Sequence, residues 1–427
     1  MLNLRALRED PEPIRAALAR REAGLAEDLD HLIELDRARR KITMEVEELR
    51  AEQNRGSKTV GTASGEEREQ LIKSLRQVSE RLAELEPRLL GLDEEVLRLA
   101  GRLPNPPHES VPHGESEEDN EVVRGAEEVP SFPFQPKDHV DLGQRLGIID
   151  LERGARVSGS RFTYLLDGAV WTQWALVRYC MDLLDAKAFI PVVPPVLVRE
   201  EAMYGTGFLP AAEAQIYVTR DDDLYLAGTS EVPLAALHQD EILDPEGLPR
   251  RYAGYSTCFR REAGTYGKDI RGIFRLHQFD KVEMFSFTTP ESSWDEHEFL
   301  LSCQEEIVSG LGLPYRVVLV CAGQMGNAAA KQYDIEVWLP GQERYRELTS
   351  CSNCTDYQAR RLECRVRFEG GNQTAHTLNG TACAVGRTVI ALLENFQRED
   401  GSVPLPESLH RYLPEERRVL TPAGVAQ

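Results

Sequence analysis

Two heptad-patterned stretches joined by a glycine-bearing turn constrain this chain more than any other feature. In the first, Leu25, Leu32 and Val46 occupy one a-type row and Leu35, Ile42 and Leu49 the d-type row, with Arg39 as a polar intrusion. In the second, Leu71, Val78, Leu85, Leu92 and Leu99 fall at d, and Leu75, Leu82, Leu89 and Val96 at a. Apolar residues recurring every 3.5 positions make a seam that a lone helix cannot bury, so each stretch demands a helical partner. Gly56, Gly61, Ser64 and Gly65 lie between them. The pair is therefore predicted to fold back as an antiparallel two-helix coiled coil over about 25–99. Pro87 is expected to kink the return helix, because an interior proline costs about 3 kcal/mol. A shorter helical lead-in, with Leu4, Leu7, Ile14 and Leu18, is interrupted by Pro11 and Pro13.

The outward limb of this hairpin carries Arg37, Arg39, Arg40, Lys41, Arg50, Arg55 and Lys58, and the return limb Arg68, Lys73, Arg76 and Arg81, with acidic residues interleaved. Two readings stand side by side: a solvated coiled-coil surface, or a rod whose cations follow a phosphate backbone. The whole chain holds 50 Lys+Arg against 71 Asp+Glu, a formal charge of −21, which argues against indiscriminate polyanion binding but not against a local basic strip. No apolar run is long enough to span a bilayer, and the first ten residues lack the apolar core of a signal peptide, so a cytoplasmic protein is expected. Its 8 cysteines, scattered over 427 residues, make no disulfide framework. Cys351 and Cys354 have the spacing of half a zinc site. Cys364 and His376, the nearest further ligands, lack paired partners, so packing cysteines are expected and no zinc.

Residues 1–103 read as the helical-hairpin domain. A proline- and acid-rich stretch, 104–135, reads as a linker, and 136–427 as a globular domain. In that last part, GAVWTQWALVRYCMDLLDAKAF is helical in pattern. IPVVPPVLVRE is an extended apolar segment whose prolines confine it to a sheet edge or an interface. MYGTGFLP reads as a loop, DLYLAGTSE as a strand, and PYRVVLVCAGQMG and QYDIEVWLP as strands. Glu347, Thr349 and Ser350 stand before a helix-compatible run, and TAHTLNGTACAVGRTVIALLENFQ reads as strand, Asn-Gly turn and helix. Strands linked mostly by hairpins, with helices beside them, predict an α+β fold with a mostly antiparallel sheet.

The chemistry concentrates in RREAGTYGKDIRGIFRLHQFDKVE, residues 260–283. Strand alternation puts Phe274, Leu276, Val282 and Met284 on one face and Arg275, His277, Phe279, Lys281 and Glu283 on the other. The first face is a core. The second sets one aromatic ring among cations and carboxylates, which suits a ligand with a flat base, anionic groups and an ammonium. Upstream, YAGYSTCFRRE reads as a paired strand with Arg260 and Glu262 on one face, and Gly264, Gly267 and Gly272 as its flexible hairpin. An ordinary exposed sheet face has the same pattern.

Taken together, FRREAG with GIFRLHQFDKVE resembles motif 2 of class II aminoacyl-tRNA synthetases, TLNGTACAVGRTVIALLEN resembles motif 3, and FIPVVPPVLV resembles motif 1. TSE, ELTSCSNC and the N-terminal hairpin narrow the resemblance to the seryl-tRNA synthetase family, of the bacterial type, over nearly the whole chain. The resemblance implies activation of L-serine with ATP to seryl-adenylate and transfer to tRNA(Ser), and also to tRNA(Sec). Arg260 and Arg387 would be the catalytic residues. ATP would meet Arg260, Glu262, Arg275, Leu276, Phe279, Glu347, Leu348, Thr349, Ser350 and Arg387, with the base between Phe279 and Arg387. Serine would meet Thr229, Ser230, Glu231, Arg260, Glu283 and Thr381. Glu347 and Ser350 would hold Mg2+, a hard cation that takes oxygen ligands.

By the same resemblance, Arg39, Arg40, Lys41, Arg50, Arg55, Lys58 and Arg76 would bind tRNA by shape more than sequence, and motif 1 would make a homodimer. Departures are Thr381-Ala382-Cys383, where glycine usually follows the hydroxyl residue, the phenylalanine of GTGFLPAAE, and Pro87. His277 is expected to be structural rather than a base, and Lys281 has no assigned role. A synthetase-like enzyme loading a carrier protein, another class II synthetase, and a non-catalytic coiled-coil adaptor are the rival readings. The arm, the TSE segment and the intact Arg260, Glu262, Glu283, Glu347 and Arg387 speak against them.

Overall fold

The computed structural model describes residues 1–125, 129–263 and 271–422. The chain forms two compact units, Met1–Pro104 and Asn105–Gln427. In the first, α1 (Leu4–Glu9) and α2 (Glu12–Leu18) precede two long helices, α3 (Leu25–Val60) and α4 (Glu66–Arg102). The heptad seam is buried as predicted. Ile42 and Val46 pack on Val78, Leu82 and Leu85, and nearer the base Leu29 and Leu32 meet Val96 and Leu99 together with Leu7 and Leu18. Each such side chain contributes about 1.5–3 kcal/mol when fully buried.

One detail differs from the expectation. Gly56 lies inside α3, where a Cβ would meet Leu75 Cδ2 at 2.6 Å, so it serves close helix packing and the turn is made by 61–65. Helix α4 runs through Pro87. That residue is on the exposed face, where the carbonyl it leaves unbonded can meet water.

The second unit is built on an eight-stranded sheet. Its strands are β1 (Glu121–Gly125), β2 (Ile190–Val192), β3 (Arg250–Phe259), β4 (Gln278–Thr288), β5 (Tyr315–Leu319), β6 (Lys331–Leu339), β7 (Arg344–Thr355) and β8 (His376–Ala384). They lie in the order β1-β5-β6-β7-β8-β4-β3-β2, antiparallel except for β2, the proline-bearing edge strand, which runs parallel to β3. The helices are α5 (His139–Leu146), α6 (Leu151–Ser158), α7 (Gly168–Asp185), α8 (Glu200–Thr206), α9 (Glu231–Ala235), α10 (Ser293–Gly310), α11 (Tyr357–Arg361) and α12 (Val385–Asn395).

Strand β4 is buried on both faces. Val282 and Met284 enter the main core with Leu176 of α7, Leu300 of α10 and Val389 of α12. Phe285 and Phe287 enter a second core with Leu234 and Leu362. The pattern is an α+β fold, as the strand and hairpin signals predict.

Several local readings need correction. The stretch read as a linker is not a free tether over 105–125. Asn105 donates through Nδ2 to the carbonyls of Ala328 and Cys354, each at 2.9 Å, and β1 pairs with β5 at the sheet edge. Proline and acid content describe solvent exposure, and β1 is indeed exposed along its length. Asn379-Gly380 is no turn but the middle of β8, and Glu347, Thr349 and Ser350 lie within β7. MYGTGFLP begins as helix α8, which ends at Gly207 in the left-handed region, φ +90°. Arg275, Leu276 and His277 precede β4, and Arg260 and Glu262 follow β3, with Glu262 also left-handed at φ +49°. Of the expected hairpin, Gly264 and Gly267 lie outside the described residues.

Candidate active site

Strand β4 supplies the floor of an open pocket. On its pocket face stand Phe279, Lys281 and Glu283, two residues apart as strand alternation requires. The neighbouring strands reach the same space through two β-bulges. Between β4 and β8, Val282 pairs with Cys383 and Glu283 with Thr381, so Ala382 is the extra residue and Thr381 is set opposite Glu283. Between β6 and β7, Ile335 pairs with Thr349 and Glu336 with Glu347, leaving Leu348 extra. A bulge reverses parity, which lets Glu347 and Ser350, three positions apart, line one pocket. Helix α12 begins directly after β8 and brings Arg387 to the rim.

One end of the pocket is deeply buried and acidic. Glu283 is fully buried; its Oε2 lies 2.5 Å from Lys281 Nζ and accepts from Thr381 Oγ1 at 3.2 Å, and its Oε1 accepts from Asn379 Nδ2 at 3.3 Å. Lys281 also donates to Thr229 Oγ1 at 2.7 Å. Glu231, the first residue of α9, accepts from Gln358 Nε2 at 2.8 Å. Burial and the charge of Glu283 push the Glu231 carboxyl up to about 7, against the opposing pull of Lys281.

The other end is aromatic and cationic. Arg275 pairs with Glu262 at 2.7 Å, and Arg387 with Glu347 at 3.1 Å. Arg387 holds Glu347 below the usual carboxylate range, whereas burial and the Glu347 charge push Asp334, its neighbour on β6, well above it. Thr349 is buried, with a hydroxyl that has no hydrogen-bond partner among the described residues. Arg260 belongs to both ends: its guanidinium carbon lies 5.2 Å from the Phe279 ring centroid, and its charge acts on both Glu231 and Glu347.

Thr229, Glu231, Arg260, Glu262, Arg275, Leu276, Phe279, Glu283, Glu347, Leu348, Thr349, Ser350, Thr381 and Arg387 therefore share one cavity, although they come from seven separate places in the chain. Ser230 does not line it. Its hydroxyl donates to the Gly254 carbonyl at 3.2 Å, on the side that meets β3. Arg387 stacks at 4.6 Å on Phe274, which the alternation had assigned to the core. His277 is structural: its ring bonds the Arg260 carbonyl at 2.8 Å and stacks on Phe162.

Asn379 and Gln358 were not foreseen, the first because Asn-Gly reads as a turn, the second because its partner Glu231 is 127 residues away. The residues considered for zinc have separate partners: Cys364 lies in the second core and His376 bonds Ser293 Oγ at 2.9 Å. Among the described residues no group of three or more His, Cys, Asp or Glu is arranged to hold a metal ion.

On the hairpin, Arg40, Lys41, Arg55 and Lys58 are exposed and form no ion pair among the described residues. At about 100° per residue they fall within an arc of about 100° on α3, along with Arg37 and interrupted by Glu48. Arg39 is committed elsewhere, to Asp36 at 2.8 Å and Asp93 at 3.3 Å. Arg50 pairs with Glu86 at 2.7 Å and Arg76 with Glu80 at 3.1 Å.

Residues 1–107 match the family described as seryl-tRNA synthetase N-terminal domain, and 216–396 the tRNA synthetase class II core domain (G, H, P, S and T). The chain is 49% identical over 416 residues, 97% of either chain, to serine–tRNA ligase 1 of Streptomyces avermitilis. The solved seryl-tRNA synthetase from Pyrococcus horikoshii, complexed with ATP, superposes with a TM-score of 0.92 at 41% identity, covering 99% of this chain and 100% of that one. The M. kandleri enzyme solved with A. aeolicus tRNASec shares the fold, with a TM-score of 0.60 at 18% identity over 82% of this chain and 70% of that one.

Proposed function

The chain belongs to the seryl-tRNA synthetase family and is a serine–tRNA ligase, and from that premise we propose how its residues divide the reaction. L-Serine occupies the acidic end. Glu231, Glu283 and Thr229 answer the ammonium and hydroxyl together with Thr381, and Arg260 takes the carboxylate. ATP occupies the other end, with adenine on Phe279, its amino group toward Glu262, and Arg387 closing over the base. Arg275 binds the γ-phosphate, and Arg260 also binds the α-phosphate, since guanidinium forks suit such oxyanions. The observation that carries this reading is the single cavity with a hydroxyl-and-carboxylate end and an arginine-and-aromatic end, bridged by Arg260.

A serine carboxylate oxygen attacks the α-phosphorus, forming the acyl-phosphate bond while the bond to the leaving pyrophosphate breaks. The terminal ribose hydroxyl of tRNA then attacks the seryl carbonyl and AMP leaves. No side chain becomes a nucleophile, so positioning and charge stabilisation carry the rate. Mg2+ fits the Glu347 edge. Glu347 and Ser350 offer only oxygen donors, and Asp334, raised by burial first and by the Glu347 charge second, marks an excess of negative charge that a cation relieves. When bound there with the phosphates, it would supply neutralisation of their charge.

The exposed arc of Arg40, Lys41, Arg55 and Lys58 supports tRNA(Ser) binding by the hairpin, with tRNA(Sec) as a further substrate to be tested directly by charging. The domain limits proposed are 1–103 for the hairpin and 136–427 for catalysis. Part of the stretch between them packs on the sheet. A homodimer through α7 and β2 accounts for exposed Trp174, Ile190 and Val193, at 55%, 50% and 82%. A monomer in sedimentation at micromolar concentration would count against it. Among the described residues no helix is long and apolar enough to cross a membrane, and the cytoplasm, which holds tRNA and ATP, is the proposed site of action.

ATP–pyrophosphate exchange with each amino acid tests the assignment: serine should drive it, and exchange driven only by another amino acid would overturn it. Arg260→Ala should lower serine-driven exchange by about a hundredfold or more while the fold survives.

A further inference from the structure

The proposed chemistry leaves Lys281 without a task, yet it is 5% exposed, and lysine is rarely buried unless paired. Its ammonium lies against Glu283 at 2.5 Å and Thr229 at 2.7 Å. Glu283 thus has a basic side chain against it as well as hydrogen bonds from Asn379 and Thr381. Glu231 has none of its own. It is 9% exposed and, among the described residues, its carboxylate receives only the neutral amide of Gln358, which is itself held by the Thr206 carbonyl and Thr377.

The titratable and charged groups facing Glu231 are Lys281 and Glu283 from β4, and Arg260 beyond the end of β3, where Cys258 lies nearby. Helices α8 and α11 present the neutral Thr206 and Gln358. His238, on the turn after α9, is engaged by Glu241 and Tyr252. Two buried carboxyls thus share one fixed ammonium, while Arg260 is divided with the other end of the pocket, so this end has room for one more cation. An α-ammonium ion supplies it.

We infer that Lys281 is a positioning residue for amino-acid recognition: by compensating Glu283 it reserves that carboxylate for the substrate hydroxyl and leaves Glu231 to meet the substrate ammonium. This deepens the serine reading and rests on it. In the free enzyme Glu231 is protonated part of the time near neutral pH, burial and Glu283 being the causes. Serine binding then displaces that proton to solvent while the ammonium keeps its own.

The test is serine-driven ATP–pyrophosphate exchange by the full-length enzyme from pH 6 to pH 8. The wild type should gain roughly tenfold in kcat/KM for serine over that range, as a single carboxyl titrating near pH 7 dictates, with the KM for ATP steady. K281M should raise the serine KM by about tenfold or more and move the inflection to higher pH, leaving the KM for ATP within about twofold. Removing the repelling charge as well, in K281M/E283Q, should bring the inflection back down, which a merely structural lysine would not do. K281Q replaces K281M if the latter does not fold, and K281R, which keeps the charge, should keep the wild-type inflection.

An unmoved inflection in both uncharged variants, or equal losses toward serine and ATP, overturns the inference alone. Absence of serine-driven exchange in the wild type overturns the substrate reading and the inference with it.

Discussion

At the scale of single residues, stability and the recognition proposed for Glu231 oppose each other. Its folded carboxyl titrates at about 7 instead of the ordinary 4.5. Because the folded state holds that proton more tightly than the unfolded state, stability falls as pH rises from about 4.5 to about 7 and stays reduced above. The size is about 3 kcal/mol if the whole shift applies. E231Q, which keeps the acceptor for Gln358, should match the wild type below pH 4.5 and melt several degrees higher at pH 8 without ligand. Saturating serine should raise the melting temperature of the wild type more than that of E231Q. Thermal melts at the two pH values check both statements, and a lower-melting E231Q at pH 8 would contradict them. Membership of the cavity was legible where a motif surrounds the residue, as for Arg260, Glu283 and Arg387. Gln358 and Asn379 were not, since an isolated amide carries no pattern and its partner is set by tertiary pairing.

At the scale of elements, periodicity located the long helices and the central strands, because burial of one face imposes it. It failed where parity breaks. Phe274 and Arg275 lie before the start of β4, and the bulges at Ala382 and Leu348 depend on how distant strands register, which no local window contains. These same irregularities aim Thr381, Glu347 and Ser350 into the pocket, and they are backed from below by α10. Gln304 of that helix, fully buried, donates through Nε2 to the carbonyls of both Ser350 and Thr381, each at 2.8 Å. One side chain thus ties β7 to β8 beneath the site. Q304L removes both hydrogen bonds from beneath the site and should cost about 1–3 kcal/mol. It should also raise the serine KM severalfold in exchange, although Gln304 lines no part of the pocket. Urea denaturation read beside exchange kinetics would decide this, and an unchanged KM in a destabilised variant would confine Gln304 to folding.

At the scale of the whole molecule, every residue proposed for adenylate chemistry lies in the unit beginning at Asn105, and every residue proposed for tRNA backbone contact in the unit ending at Pro104. The two functions should therefore separate. Deleting residues 30–98 should leave serine-driven exchange within a few fold and abolish charging of tRNA, and equal loss of both would refute the division. Point variants sharpen the same test, because the hairpin cations are of two kinds. Arg40, Lys41, Arg55 and Lys58 are free to meet phosphate, so each Ala variant should weaken tRNA binding and reduce the salt dependence of log K by about one unit of slope, with melting unchanged. Arg39 instead helps Arg8 hold ionised the buried Asp36, which is 4% exposed and held below the usual carboxylate range despite burial. R39A should accordingly lower the melting temperature of the hairpin while shifting the salt slope little, since removing one partner of a buried charge costs more than an exposed pair contributes. Measuring both quantities for all five variants separates cations that build the rod from those that read its ligand. A common response across the five would show that the seam and the exposed arc are not independent.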